Sequence, residues 1–111
     1  MAEDKNKLKA VRCELARLAR IKKARTSQWT QERPNEWRPQ QIIDPRTGSY
    51  FTPPGAWEFV AEKLEDDNVI VTQVDLHHPQ GEKGYEFHVD TVYIKVQFGR
   101  GGTIIGRSFH D

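Results

Sequence analysis

The clearest pattern of apolar and polar positions lies near the end of the chain. Apolar side chains alternate with polar ones over residues 85–89 (YEFHV) and again over residues 92–98 (VYIKVQF). A period of two predicts β-strands, because successive side chains of a strand point to opposite faces of a sheet. Residues 99–102 (GRGG) predict a turn, and residues 103–110 predict a last strand. Together these segments predict a three-stranded antiparallel meander.

The register follows from keeping the apolar rows on one face. Pairing Val89 with Val92 does this for the first hairpin and sets Phe87 opposite Ile94, Tyr85 opposite Val96, His88 opposite Tyr93 and Glu86 opposite Lys95. Pairing Phe98 with Thr103 across a four-residue turn adds Ile105 and Phe109 to the apolar face and turns Arg107 toward the core. The opposite face then collects Glu86, His88, Tyr93, Lys95, Gln97, Gly106, Ser108 and His110.

Two segments have helical periodicity. Thr52 and Pro53 are a typical N-cap and first helical residue, and they are followed by apolar side chains at Ala56, Trp57, Phe59, Val60 and Leu64. Residues 5–25 lack Gly and Pro, and Leu8, Val11, Leu15 and Leu18 recur there at spacings of three and four. We therefore expect a core helix that ends near Asp66 and an amphipathic helix at the N-terminus.

The segments between these elements have weaker patterns. Residues 26–52 are rich in Pro, Gln and Thr and predict an irregular connector, with a turn at residues 44–48 (DPRTG). Trp29 and Trp37 are its large aromatics, which either pin the connector to the domain or stack on nucleobases. Residues 69–76 predict a strand before a polar break at residues 77–81, whose adjacent histidines, His77 and His78, are typical of a solvated loop.

These elements predict an α+β fold, with a helix packed on a curled antiparallel sheet and a basic amphipathic helix at the N-terminus. We expect residues 1–25 to form that helix, residues 26–52 the connector and residues 53–111 the core domain. A chain of 111 residues has room for one hydrophobic core.

Cysteine content and hydropathy exclude several classes of protein. Cys13 is the single cysteine, so an internal disulfide is excluded, and no Cys and His residues have the spacing of zinc ligands. Neither a signal peptide nor a run of eighteen apolar residues is present. We expect a cytoplasmic protein with no cofactor and no membrane association.

Charge divides the chain into two parts. Residues 1–25 hold nine Lys or Arg against three acids, whereas residues 26–111 hold eight against thirteen. The basic side chains of the first helix can attract phosphate by counterion release or bind an acidic partner. The alternative is a solvated helix face whose Leu stripe docks on the body. The candidates for RNA binding in this segment are Arg17, Arg20, Lys23 and Arg25.

The polar face of the predicted meander has the groups that metal-independent RNA cleavage requires. Such cleavage needs a base for the ribose 2′-hydroxyl, an acid for the leaving 5′-oxygen and donors for the phosphorane charge. Imidazoles, with an ordinary pKa of about 6.5, serve as acid or base near neutrality. The catalytic candidates are His88, Tyr93, Lys95 and His110, with Gln97 and Arg107 as further RNA-binding candidates. The alternative is a solvent-facing surface with an ordinary Glu86–Lys95 cross-strand pair.

The end of the chain resembles a known family. The strand Val92-Tyr93-Ile94-Lys95-Val96, followed by a hairpin and Ser108-Phe109-His110, is similar to the ending of the MqsR toxins, which are mRNA interferases of RelE-like fold. The resemblance covers about residues 53–111. It implies that Tyr93 lies at the family's catalytic tyrosine position and that His110 replaces a basic lysine. It also implies a cognate antitoxin as protein partner and RNA, on or off the ribosome, as substrate.

Two functions of different classes follow from these observations. One is a metal-independent endoribonuclease toxin that acts through the polar sheet face. The other is a non-catalytic regulatory or adaptor domain whose basic helix binds nucleic acid or an acidic protein.

Overall fold

The chain folds into helices and a sheet within the residues that the computed structural model describes, which are 2–27, 36–76 and 81–111. Short 3₁₀ turns at Lys22–Ala24 and Pro39–Gln41 connect some of these elements. The elements, in chain order, are α1 (Ala2–Ala19), β1 (Arg25–Ser27), β2 (Glu36–Trp37), α2 (Pro53–Glu65), β3 (Thr72–Asp75), β4 (Lys83–Val89), β5 (Val92–Gly99) and β6 (Thr103–His110).

The sheet is open and mixed, with the two helices packed on one face. Strands β3, β4, β5 and β6 are antiparallel neighbours in that order, while β1 and β2 both pair in parallel with the outer edge of β6. The α+β class is confirmed. The predicted wholly antiparallel sheet is wrong at this edge, because the end of the predicted first helix and the expected irregular connector together supply two short parallel strands.

The predicted register of the β4–β5 hairpin is confirmed. Val89 pairs with Val92 and Phe87 with Ile94. The apolar row of these strands is buried or half-buried in one core with α2. The core positions of Trp57, Val60 and Leu64 on α2 are confirmed as well.

The predicted register of the β5–β6 hairpin is wrong by one residue at the turn. Phe98 pairs with Ile104 rather than Thr103, because the turn spans Arg100–Gly102, where two consecutive glycines adopt positive φ. A one-residue shift exchanges the faces of a strand. Ile104 is therefore the fully buried core residue, and Ile105 lies on the opposite face beside Gln97.

A β-bulge then restores the predicted faces at the end of β6. The register shifts between Lys95 and Val96, so Arg107 is the extra residue between Gly106 and Ser108. A bulge changes the direction of the side chain that it carries. Arg107 consequently reaches the face opposite the core, where Nη1 donates to Gln97 Oε1 at 2.9 Å. Gly106 lies on the core face. Both positions are contrary to the sequence-based expectation, which turned Arg107 toward the core and placed Gly106 on the opposite face.

The first helix contributes to the core and ends earlier than predicted. Leu15 and Leu18 are buried, and Leu8 and Val11 pack against the same cluster. The helix stops at Ala19, six residues before the predicted end, and the chain turns through Lys22–Ala24 into β1.

Trp37 anchors β2 to the core. It is 7% exposed, stacks on Trp57 with ring centroids 4.7 Å apart, and meets the edge of Phe109. The interpretation that this tryptophan pins the connector is thus confirmed. Its ring also covers Gly106, where a built Cβ would lie 2.6 Å from the nearest ring carbon.

An ion pair between a buried carboxylate, Asp44, and the partly exposed Arg46 connects the turn at residues 44–48 to helix α2. Asp44 is 3% exposed and accepts from the Arg46 backbone N–H and from Nε and Nη2. Arg46 Nη2 also donates to Gly55 O at 2.7 Å, in the first turn of α2. The hydrogen bonds from Arg46 hold the pKa of the Asp44 carboxyl below its usual range.

We predict that Asp44→Asn lowers the free energy of unfolding at pH 7 by about 2 kcal/mol, the usual scale for a hydrogen bond to a charged group. Because the pKa of Asp44 is depressed on folding, its contribution is fully present above the ordinary aspartate pKa of about 4 and is lost progressively as the pH falls from there through the depressed pKa of the folded state. Urea unfolding at pH 7 and at pH 2 to 3 measures this. The control is Asp75→Asn, which removes an exposed ion pair with Lys83 and leaves stability nearly unchanged. Equal stability of Asp44→Asn and wild type at pH 7 contradicts the prediction.

We also predict that Gly106→Ala destabilises the fold by about 1–3 kcal/mol, because the new methyl group overpacks the contact with Trp37. Thermal or urea unfolding measures the loss. In a Trp37→Leu background the same substitution is expected to cost less, since no indole ring opposes the methyl group. Additive effects of the two substitutions would show that the ring contact does not constrain this site.

Candidate active site on the polar face of the sheet

Helices α1 and α2 cover one face of the sheet, and among the described residues no helix packs over the other, open side. We call this open side the polar face. Its residues alternate along the strands with the core residues Phe87, Ile94 and Phe109. It carries Glu36, Glu86, His88, Tyr93, Lys95, Gln97, Arg107, Ser108 and His110.

Three aromatic side chains form one row across the central strands. His88 pairs with Tyr93, which pairs with His110, so the row runs from β4 through β5 to β6. The Tyr93 ring centroid lies 5.1 Å from that of His88 and 5.5 Å from that of His110. The imidazoles therefore flank a central phenol. The catalytic candidates His88, Tyr93 and His110 are brought together as the sequence predicted.

The next row places Lys95 between Glu86 and Ser108. The Tyr93 hydroxyl donates diagonally to Glu86 Oε2 at 2.5 Å, which fixes the phenol and one carboxylate against each other. Lys95 is half-buried in this row, next to the aromatic one. All four catalytic candidates consequently share one patch.

The third row joins the two RNA-binding candidates of the polar face. Gln97 is 1% exposed, and its amide nitrogen donates to Glu82 Oε2 at 2.8 Å, while its oxygen accepts from Arg107. Because the planar amide is fixed on both sides, Gln97 fixes the position of Arg107. The bulge thus brings Arg107 to the patch, which the predicted register did not.

Sequence reasoning missed Glu36. Ser108 Oγ donates to Glu36 Oε2 at 3.1 Å, and His110 Nε2 lies 3.5 Å from the same oxygen. The side chains of His110 and Glu36 are 30% and 39% exposed. The sequence contains one signal for this position: if Trp37 is buried, the adjacent Glu36 must point to the opposite face of its strand. Which strand pairs with Glu36–Trp37 depends on the tertiary structure.

The basic candidates near the N-terminus belong to another part of the molecule. Arg20 forms an ion pair with Glu65 of α2, and Arg25 Nε donates to Ala19 O at the end of α1. Arg17 pairs with Glu14, and Lys23 is exposed in the 3₁₀ turn. Arg17 and Arg20 lie in the helical layer, across the sheet from the polar face. The structure therefore does not join the two groups of RNA-binding candidates.

A groove opens beside the aromatic row. It has a volume of about 490 Å³ and is bordered by Glu86 and His88 of the polar face and by Ile70 and Thr72. Among the described residues, no three His, Cys, Asp or Glu side chains are placed to hold one metal ion. His77, His78 and Trp29 lie outside the described residues.

Comparisons with protein-family models, with curated proteins and with solved structures give no significant match. In the described part of the chain, no helix has the length and apolar character needed to cross a membrane.

Proposed function

We propose that this chain is a metal-independent endoribonuclease, an mRNA interferase toxin, with its active site on the polar face. The observation that carries the proposal is the row of His88, Tyr93 and His110 on three adjacent strands. Two imidazoles on either side of one ring can reach opposite sides of a single phosphodiester. That is the arrangement that in-line attack and departure require.

Each chemical requirement of RNA cleavage has a side chain in this patch. One imidazole removes the 2′-hydroxyl proton and the other protonates the 5′-oxygen. Lys95, in the adjoining row, supplies positive charge for the phosphorane. Tyr93 offers a ring face for a base, and its hydroxyl is held by Glu86.

The toxin assignment rests on the resemblance to MqsR toxins. Tyr93 and His110 match two functional positions of that family and are separated by seventeen positions in sequence, and in the sheet they are paired neighbours. This adjacency supports a RelE-like fold. The proposal includes a cognate antitoxin, an RNA substrate that is free or on the ribosome, and a cytoplasmic location.

We predict that His110→Ala lowers single-turnover RNA cleavage by roughly 10²-fold or more, the usual scale for a positioned acid or base. The wild-type rate is expected to persist in EDTA, because the proposed groups need no divalent ion. Gln73→Ala, an exposed residue of β3 outside the patch, serves as the control. A His110→Ala variant that is folded and cleaves at the wild-type rate would refute the assignment.

A second candidate function is the adaptor, in which the basic helix α1 binds nucleic acid or an acidic protein. The observation that favours it is the exposure of Arg17 on the helical layer and of Lys23 in the following 3₁₀ turn. The polar face itself carries the carboxylates Glu36 and Glu86, which repel phosphate unless they are engaged by neighbouring groups.

The salt dependence of RNA binding separates the two functions. If the polar face binds RNA, we predict that Lys95→Gln lowers the slope of log Kd against log salt by about 1, since one phosphate contact is removed. The paired change Arg17→Gln and Lys23→Gln then leaves the slope unchanged. An unchanged slope for Lys95→Gln and a lower slope for the paired change, together with no RNA cleavage by wild-type protein, support the adaptor function. Substitution is the appropriate change, because deletion of α1 would remove core residues such as Leu15.

A further inference from the structure

The two histidines of the aromatic row have different surroundings. His110 has an oxygen near each ring nitrogen: Nε2 lies 3.5 Å from Glu36 Oε2, and Nδ1 lies 3.2 Å from the main-chain oxygen of Asp111. His88 is exposed, and within the described ranges its ring contacts Tyr93 and has no hydrogen bond to either nitrogen. The His110 ring therefore has an acceptor near each nitrogen, whereas the His88 ring is exposed to solvent.

This asymmetry distinguishes an acid from a base. Only an imidazolium donates from both ring nitrogens, so a ring between two oxygen atoms is suited to carry both hydrogens. A base, in contrast, needs a nitrogen whose lone pair is open to the incoming hydroxyl, which is the situation of His88.

We infer that His88 is the general base, that His110 is the general acid, and that Glu36 is a positioning residue that holds the His110 ring. The inference rests on the proposed function, since it divides the roles within that same site. Glu36 is itself held, because it accepts from Ser108 Oγ and precedes the buried Trp37. Among the described residues, the other groups beside His110 are Tyr93 and Lys95 on β5 and the neighbouring Asp111.

The distances leave the acid able to react. The 3.5 Å separation between Nε2 and Glu36 Oε2 is an ion-pair distance and exceeds the usual hydrogen-bond range of about 2.7–3.2 Å. The Nε2 hydrogen is therefore not committed to the carboxylate and remains available to a leaving oxygen.

The step is balanced without any co-reactant. His88 accepts the proton of the 2′-hydroxyl as the 2′-oxygen forms a bond to phosphorus. The bond between phosphorus and the 5′-oxygen breaks, its electron pair stays on that oxygen, and His110 Nε2 supplies the proton. The products are a 2′,3′-cyclic phosphate and a free 5′-hydroxyl, with no change of oxidation state.

A pair of substrates tests the roles. One is an RNA oligonucleotide, and the other carries sulfur in place of the bridging 5′-oxygen at the cleaved linkage. A thiolate leaves without protonation, so loss of the general acid matters little for the sulfur substrate. Loss of the base slows both substrates equally.

We predict that His110→Ala loses roughly 10²-fold or more on the oxygen substrate and less than about 10-fold on the sulfur substrate. Glu36→Ala and Glu36→Gln show the same selectivity, with a loss of roughly 10-fold or more on oxygen, by analogy with the scale for groups that orient metal-ligating side chains. Glu36→Gln retains an acceptor for Ser108, so it removes the charge with little effect on folding. His88→Ala loses equally on both substrates. Glu58→Gln, an exposed carboxylate of α2, changes neither rate.

The outcomes separate failure of the inference from failure of the function. If wild-type protein cleaves both substrates but His110→Ala loses equally on them, His110 is not the acid and the inference is wrong while the ribonuclease stands. If His88→Ala, rather than His110→Ala, regains its cleavage rate on the sulfur substrate, then His88 is the general acid and His110 is the general base. If Glu36 variants show no selectivity while His110→Ala does, the role of Glu36 is wrong. Wild-type protein that cleaves neither substrate overturns the proposed function and the inference with it.

Discussion

The packing of Trp37 determines the edge of the sheet and, through it, the composition of the polar face. The indole lies between Trp57 of α2 and the backbone of Gly106, and its edge meets Phe109. Only a residue without a side chain fits beneath the ring at position 106. Because neighbouring residues of a strand point to opposite faces, burial of Trp37 places Glu36 beside His110. One hydrophobic contact thus sets the position of a carboxylate on the other side of the sheet.

The polar side chains of the open face are tied to one another in a manner unlike a simple solvated surface. Glu36 engages Ser108 and His110, and Glu86 engages Tyr93. Each carboxylate has a partner that restricts its rotamers, so the aromatic row is held from both sides. In the proposed active site, restriction of this kind reduces the entropic cost of bringing reacting groups together. The carboxylates would then orient the catalytic side chains rather than simply oppose an anionic ligand.

The N-terminal helix α1 packs in the core and also presents basic side chains to solvent. Its apolar stripe enters the core, and Arg12 donates to the carbonyl oxygens of Leu64 and Asp66 at the end of α2. Carbonyls at a helix C-terminus lack partners within their own helix, so a guanidinium there stabilises them. The same helix presents Arg17 to solvent. Basic residues that look alike in the sequence thus have different physical roles.

Local pattern determined much of this protein from the sequence alone. The alternation over residues 85–98 determined the first hairpin, its register and the neighbours His88 and Tyr93, because a hairpin has few registers that keep its apolar rows together. Thr52 and Pro53 likewise set the start of α2, where Gly55 N donates to Thr52 Oγ1. Tertiary structure alone decided the parallel pairing of β1 and β2 with β6, the bulge at Arg107 and the position of Glu36 on the polar face. A two-residue strand such as Glu36–Trp37 has no period of its own, and its partner, β6, begins more than sixty residues later in the chain. Its place depends on which surface buries Trp37, and that surface exists only after the sheet and α2 have packed.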